Sequence, residues 1–190
     1  MLRTLPQTRA AAPAVRLAGI VVFTLATIIG ARITIPMDPV PFTLQPLAVL
    51  LAGLVLGARD GAASQLAYVT LIAIGLPVDA NMRGQAALFG PTGGYLIGFI
   101  AGAAVAGLLV ERAAHRLWQR WLAGVAGIAV IYAFGLPVLM LSRGLDLSAA
   151  WAFGAAPFLI PDLIKALIAA ALAEGGRAVL IRRSASESSS

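Results

Sequence analysis

Apolar residues in this chain come in long blocks rather than in alternation. Six can be walked off, at about 14–31, 44–58, 61–76, 93–110, 121–142 and 157–174. A hydrocarbon core needs roughly 20 apolar residues to be crossed as a helix, with a range of about 17 to 25. The second and third blocks are short by that measure, and as spans they need neighbouring loops to shield their ends. The pattern predicts an all-α membrane protein of six transmembrane helices, forming one domain over residues 1–183. Residues 184–190, the end of the polar run RRSASESSS, are expected to be a disordered tail.

Composition agrees with the blocks. Hydrophobic residues make up 60% of the chain and charged residues 12%, with mean hydropathy +0.92. A soluble domain carries roughly 25% charged residues, so this chain cannot cover itself with a polar surface. Arg3, Arg9 and Arg16 ahead of the apolar run that starts at Leu17 resemble the start of a signal peptide. Five further blocks follow, and the first is read as a retained span. Net charge is +6, but the arginines are scattered between apolar runs and form no basic stripe. Anionic lipid headgroups, not nucleic acid, are the expected partner of those charges.

Arginine placement then orients the bundle. The N-terminus, the 59–60 turn, the 111–120 loop and the C-terminal end hold Arg3, Arg9, Arg16, Arg59, Arg112, Arg116, Arg120, Arg177, Arg182 and Arg183. The alternate loops hold only Arg32, Arg83 and Arg143. Positive residues favour the cytoplasmic side, so both termini are expected there. The opposite loops, RITIPMDPVPFT at 32–43 and PVDANMRGQAALFGPT at 77–92, read as irregular. Prolines 36, 39 and 41 hold the first extended or turned. Such backbone at membrane depth requires burial in protein or a cavity that solvates it. The loops are therefore either a lid over an outward pocket or ordinary surface connections.

Within the sixth block Asp162 and Lys165, the chain's only lysine, sit three residues apart in LIPDLIKALIAAALA. Three residues apart means one helix face. Entering at about residue 157, they lie roughly 8 and 12 Å along the axis, and Pro161 is expected in the first turn, where its missing N–H costs little. Ionisable side chains in a span are costly and point to function, and a structural ion pair joining helices is the competing reading. Catalysis finds little support. There is no cysteine, and the single histidine, His115, lies in a basic loop without a carboxylate pair. No metal site or catalytic residue is assigned, and an intramembrane hydrolase is improbable on this ground. A P-loop needs a lysine after its glycines, and Lys165 follows Pro-Asp-Leu-Ile. The chain is not expected to hydrolyse ATP.

IPMDPVPFTLQPLAVLLAGLVLGARDGAASQLAY (35–68), GLPV (75–78), GPTGGYLIGF (90–99) and PDLIK (161–165) together resemble the BioY family. These are the biotin-specific substrate-binding (S) components of energy-coupling-factor (ECF) transporters. The resemblance runs from about residue 32 to 103 and resumes at the sixth block. Two departures stand out: Asp79, Asn81 and Met82 replace the family's aromatic and glycine-rich run, and Pro161 precedes the aspartate where glycine is usual. The resemblance implies capture of biotin from outside, in a bacterial cytoplasmic membrane, with no cofactor. It also implies either a membrane coupling subunit and two ATPase subunits as partners or operation without them. An S component for a different vitamin or small molecule is the alternative, given Asp79 and Asn81.

That resemblance places Asp162 and Lys165 in the ligand site, where the carboxylate can accept from the ureido N–H groups and the ammonium can donate to the ureido carbonyl. Gln45, opening the second block, offers a donor and an acceptor to the same ring, or else caps the loop. Asn81 and Arg83 can reach a ligand from the second outer loop, and Tyr95 can cover its rings or belong to the interface belt. Gly93 and Gly94 open the fourth block, where free N–H groups can receive a carboxylate or the pair can serve only the turn. Ala10, Ala14 and Ala18 form a small-residue series on the first block. It resembles the stripe on which S components dock the coupling subunit, with packing inside the bundle as the other reading. Gly98, Gly102 and Ala106 repeat the spacing and are expected to pack within the bundle.

Overall fold

The computed structural model describes residues 12–113 and 116–187. Its helices are α1 (Pro13–Arg32), α2 (Gln45–Ala73), α3 (Gly93–Ala113), α4 (Leu117–Arg143), the short α5 (Leu147–Gly154) and α6 (Ala156–Glu187). Two-residue strands β1 (Thr34–Ile35) and β2 (Phe42–Thr43) pair antiparallel between α1 and α2, and a 3-10 turn covers Gly84–Ala87. Five helices are long and apolar enough to cross a membrane. One of them crosses twice.

That helix is α2. Gly57 sits inside it at φ 84° and ψ −177°, a backbone region open essentially to glycine alone. The chain reverses there, because the Gln45 amide donates to the Tyr68 hydroxyl at 2.6 Å, whereas 23 residues of straight helix span roughly 34 Å. The arms 45–56 and 58–73 are the second and third apolar blocks, about 18 and 24 Å long at 1.5 Å per residue. Their shortness is tolerable because α2 is the most buried of the long helices. Glu111 from α3 accepts the Ala58 N–H at 2.9 Å, which caps the second arm where it starts.

Packing follows the small residues. α2 lies against α1, α3 and α6, and α4 lies against α3, α5 and α6. Gly98 and Gly102 meet Ile131 and Gly127 of α4, and a Cβ on Gly107 would collide with the backbone of Gly57 and Ala58. The Gly98–Gly102–Ala106 face is thus spent inside the bundle, as its spacing suggests. α1 is attached through polar groups. Arg16 donates to both oxygens of the buried Asp60 at 2.9 and 2.6 Å, and Thr24 donates to the Ser64 carbonyl at 2.9 Å.

Two expectations change in detail. The 32–43 loop is not wholly irregular, since Thr34 pairs with Thr43 and Ile35 with Phe42; Pro36 and Pro41 flank the paired residues and leave them free to bond. Pro161 does not lie in the first turn of its helix, because α6 already begins at Ala156. α6 is helical to Glu187, no glycine or proline intervening after Gly176, while 188–190 lie outside the described residues.

Candidate functional site

At the end of the bundle that carries β1, β2 and the 74–92 connection, a cavity of about 620 Å³, counting its open mouth, reaches between the helices. Its walls come from the loop into α2, the 79–81 segment, and the facing turns of α3, α4 and α6. Asp162 and Lys165 line it, at 4% and 5% exposure. The Lys165 ammonium donates to Asp162 at 2.7 Å and to the Thr43 carbonyl at 2.7 Å, and it stands 4.0 Å from the centre of the Phe42 ring. The other Asp162 oxygen accepts the Tyr132 hydroxyl at 2.6 Å.

The local sequence explains why these groups meet. Asp162 and Lys165 are one turn apart on α6 and share its inner face. The β1–β2 pairing carries Phe42 and Thr43 over that face, and Phe42 stacks on Phe158 at a centroid distance of 6.4 Å. An ammonium over an aromatic face is favourable, the more so when desolvated. A buried charge must be paired and hydrogen-bonded to be tolerated, and both charges here are.

Hydrogen-bonding capacity remains. A carboxylate has about four lone-pair sites and an ammonium three N–H groups. Asp162 uses two of its sites and Lys165 two of its hydrogens. A ligand with two donors and one acceptor side by side fits the remainder.

The structure gathers some of the remaining candidates and leaves others out. Gln45 is 4% exposed and lines the cavity; its amide donates to Tyr68, and its oxygen accepts the Thr43 hydroxyl at 3.3 Å. Asn81 and Tyr95 also line it, and the Tyr95 hydroxyl donates to the Gly154 carbonyl at 2.9 Å. Arg83 is exposed, lies beside Gly90 and is not part of the lining. Gly93 and Gly94 do not line the cavity either. The Gly93 N–H is bound to the Gly90 carbonyl at 3.0 Å, and Gly94 lets α3 press against Phe134 and Val138 of α4. Ala14 and Ala18 are exposed on α1, and Ala10 falls outside the described residues.

Three contributors were not foreseen. Tyr132 left one signal, a polar tip near the middle of an apolar block, which calls for a partner when buried. Thr43 acts through its backbone carbonyl, which no side-chain pattern reveals. Phe42 stands inside the PVPFTLQ motif, but only the β pairing shows that it lies over Lys165.

A multi-pass bundle of apolar helices around a buried, hydrogen-bonded charge pair defines a helical membrane protein with a cavity between its helices. The chain belongs to the BioY family, whose model matches residues 6–182. It is 49% identical over 153 residues to the biotin transporter BioY of Thermotoga maritima, covering 80% of this chain and 89% of that protein. It is 40% identical over 156 residues to the probable biotin transporter BioY of Pyrococcus horikoshii, covering 82% and 91%. Its fold matches a crystal structure of the S-component for biotin from an ECF-type ABC transporter, with a TM-score of 0.80 at 23% identity over 92% of this chain and 95% of that one.

Proposed function

We propose that this protein captures biotin and brings it across the membrane as the S component of an ECF transporter, in the cytoplasmic membrane of a bacterium. It is a transporter, not an enzyme, as are the relatives that are 49% and 40% identical to it over the aligned residues. The observation that carries the reading is the unused capacity of the Asp162–Lys165 pair. Asp162 keeps two acceptor sites and Lys165 one N–H, both side chains line the cavity, and a ureido ring offers two N–H groups and one carbonyl. Gln45 and Asn81 stand on the same cavity wall and can add contacts. Asp79, which in the sequence favoured a different ligand, accepts a backbone N–H group of its own loop with each oxygen.

The arginine distribution favours an orientation with the cavity opening outward and both termini cytoplasmic. Ala14 and Ala18 are exposed, so packing within the bundle does not consume them, and they suit close approach by a membrane coupling subunit that two ATPase subunits would energise. Isothermal titration of the purified protein with biotin tests the reading. Near one-to-one binding is expected; no heat, together with no competition against labelled biotin, would refute it.

A further inference from the structure

The segment 77–84 contributes Asp79, Ala80 and Asn81 to the cavity wall, and several of its backbone groups are held. The Arg32 guanidinium donates to the Pro77 carbonyl at 2.7 Å and to the Asp79 carbonyl at 3.0 Å. The Tyr68 hydroxyl, already bound to Gln45, donates to the Val78 carbonyl at 3.2 Å. The Met82 N–H donates to the Asp79 carbonyl at 3.1 Å. At the centre of the turn is the Asp79 side chain, 3% exposed. One of its oxygens accepts the Asn81 N–H at 3.1 Å and the other the Gly84 N–H at 2.7 Å.

The turn is costly in itself. Met82 has φ 54° and Gly84 φ 55°, and the left-handed region is unfavourable for any residue with a Cβ. Such a conformation persists only where its surroundings over-determine it. Here the surroundings are a carboxylate that receives two converging N–H groups. Asp79, Ala80 and Asn81 are also part of the wall facing Asp162 and Lys165.

We propose that Asp79 is a positioning residue: a buried carboxylate around which residues 79–84 are wound, so that the wall formed by Asp79, Ala80 and Asn81 keeps its binding-competent shape. It acts on the ligand through that wall. The proposal rests on the ligand-capture reading for its consequence, but not for its geometry. Only an ionised carboxylate accepts at both positions. Asparagine keeps one acceptor and turns an N–H group against the other donor; alanine leaves both backbone N–H groups without an acceptor, and buried N–H groups so stranded favour opening to water.

Apparent affinity scales with the fraction of molecules in the competent state, so a wall formed only about one-tenth of the time weakens capture about tenfold. The test uses the purified full chain, which has no cysteine of its own. Cysteine is placed at Ala80, with and without Asp79→Ala, and its rate of modification by a soluble thiol reagent is measured without ligand. Biotin affinity and melting temperature are measured alongside on chains with native Ala80. Asp79→Ala is expected to speed modification and weaken biotin binding about tenfold, while the bundle melts within a few degrees of the parent, with Asp79→Asn intermediate. Unchanged modification rate and affinity would overturn the proposal, and so would modification that rises only in step with melting of the whole bundle. Should Asp79→Ala not fold, Asp79→Asn decides by the same comparison. If the parent chain binds no biotin, the capture reading fails, while the ligand-free modification rates still decide the role of Asp79.

Discussion

The Asp162 carboxylate accepts from Lys165 and Tyr132 and has two lone-pair sites left. Asp162→Asn exchanges one oxygen for a donor, which then faces either the Tyr132 hydroxyl or a ligand N–H. A hydrogen bond to a charged group contributes about 1.5–3 kcal/mol, so biotin affinity is expected to fall by roughly one to two orders of magnitude. Lys165→Met keeps much of the side-chain length and its contact with Phe42 but loses the donor, and should also weaken binding. Both variants should fold, because the cavity admits water to the charge left behind. Titration and melting of each variant side by side provide the check. Normal affinity with a large drop in melting temperature in both would mark a purely structural pair. Tyr132→Phe removes one donor from Asp162 without touching the pair; a smaller loss, below about tenfold, is expected for this neutral hydroxyl, read by the same titration.

At the scale of elements the hairpin of α2 matters most. Gly57 holds a φ of 84° at which a side chain is strained, and its Cβ position falls on the Glu111 carboxylate that caps the second arm. Gly57→Ala therefore strains the backbone and displaces the cap together. A backbone held in so sparse a region costs about 1–3 kcal/mol, and a clear drop in melting temperature in detergent is expected. Because the cavity is at the other end of both arms, the folded fraction should still bind biotin with near-parental affinity. Equal loss of affinity and stability would show that the arms transmit the distortion.

For the whole molecule the open question is direction across the bilayer. Arg59 is exposed beside the hairpin turn, and Ala86 is exposed beside the cavity mouth. They sit at opposite ends of the bundle. Cysteine at Ala86 should react with an impermeant thiol reagent in intact cells, and cysteine at Arg59 only after the membrane is opened. The reverse pattern would overturn the outward orientation. Ser64, nearer the turn in sequence, is fully buried against α1 and is unsuited as a reporter at either face.

What the sequence determined by itself was the solvent and the count of crossings. Block length and charge placement depend on the bilayer, which acts on every residue alike, so six apolar blocks become six passes even where two are short. It also marked Asp162 and Lys165, because two ionisable groups in an apolar helix stand out against any background. Motif order then carried the family resemblance. The tertiary structure decided everything that depends on two distant segments meeting. Tyr132 and the Thr43 carbonyl complete the charge pair only once α4 and β2 lie against α6. Gly93 lies against the Leu88 backbone and Gly94 against Phe134 and Val138 of α4, because the face a glycine presents is set by its neighbour and not by its own sequence. Asp79 read as an oddity until the turn closed around it. A carboxylate's partners there are backbone N–H groups, which every residue but proline carries and which only folding can aim.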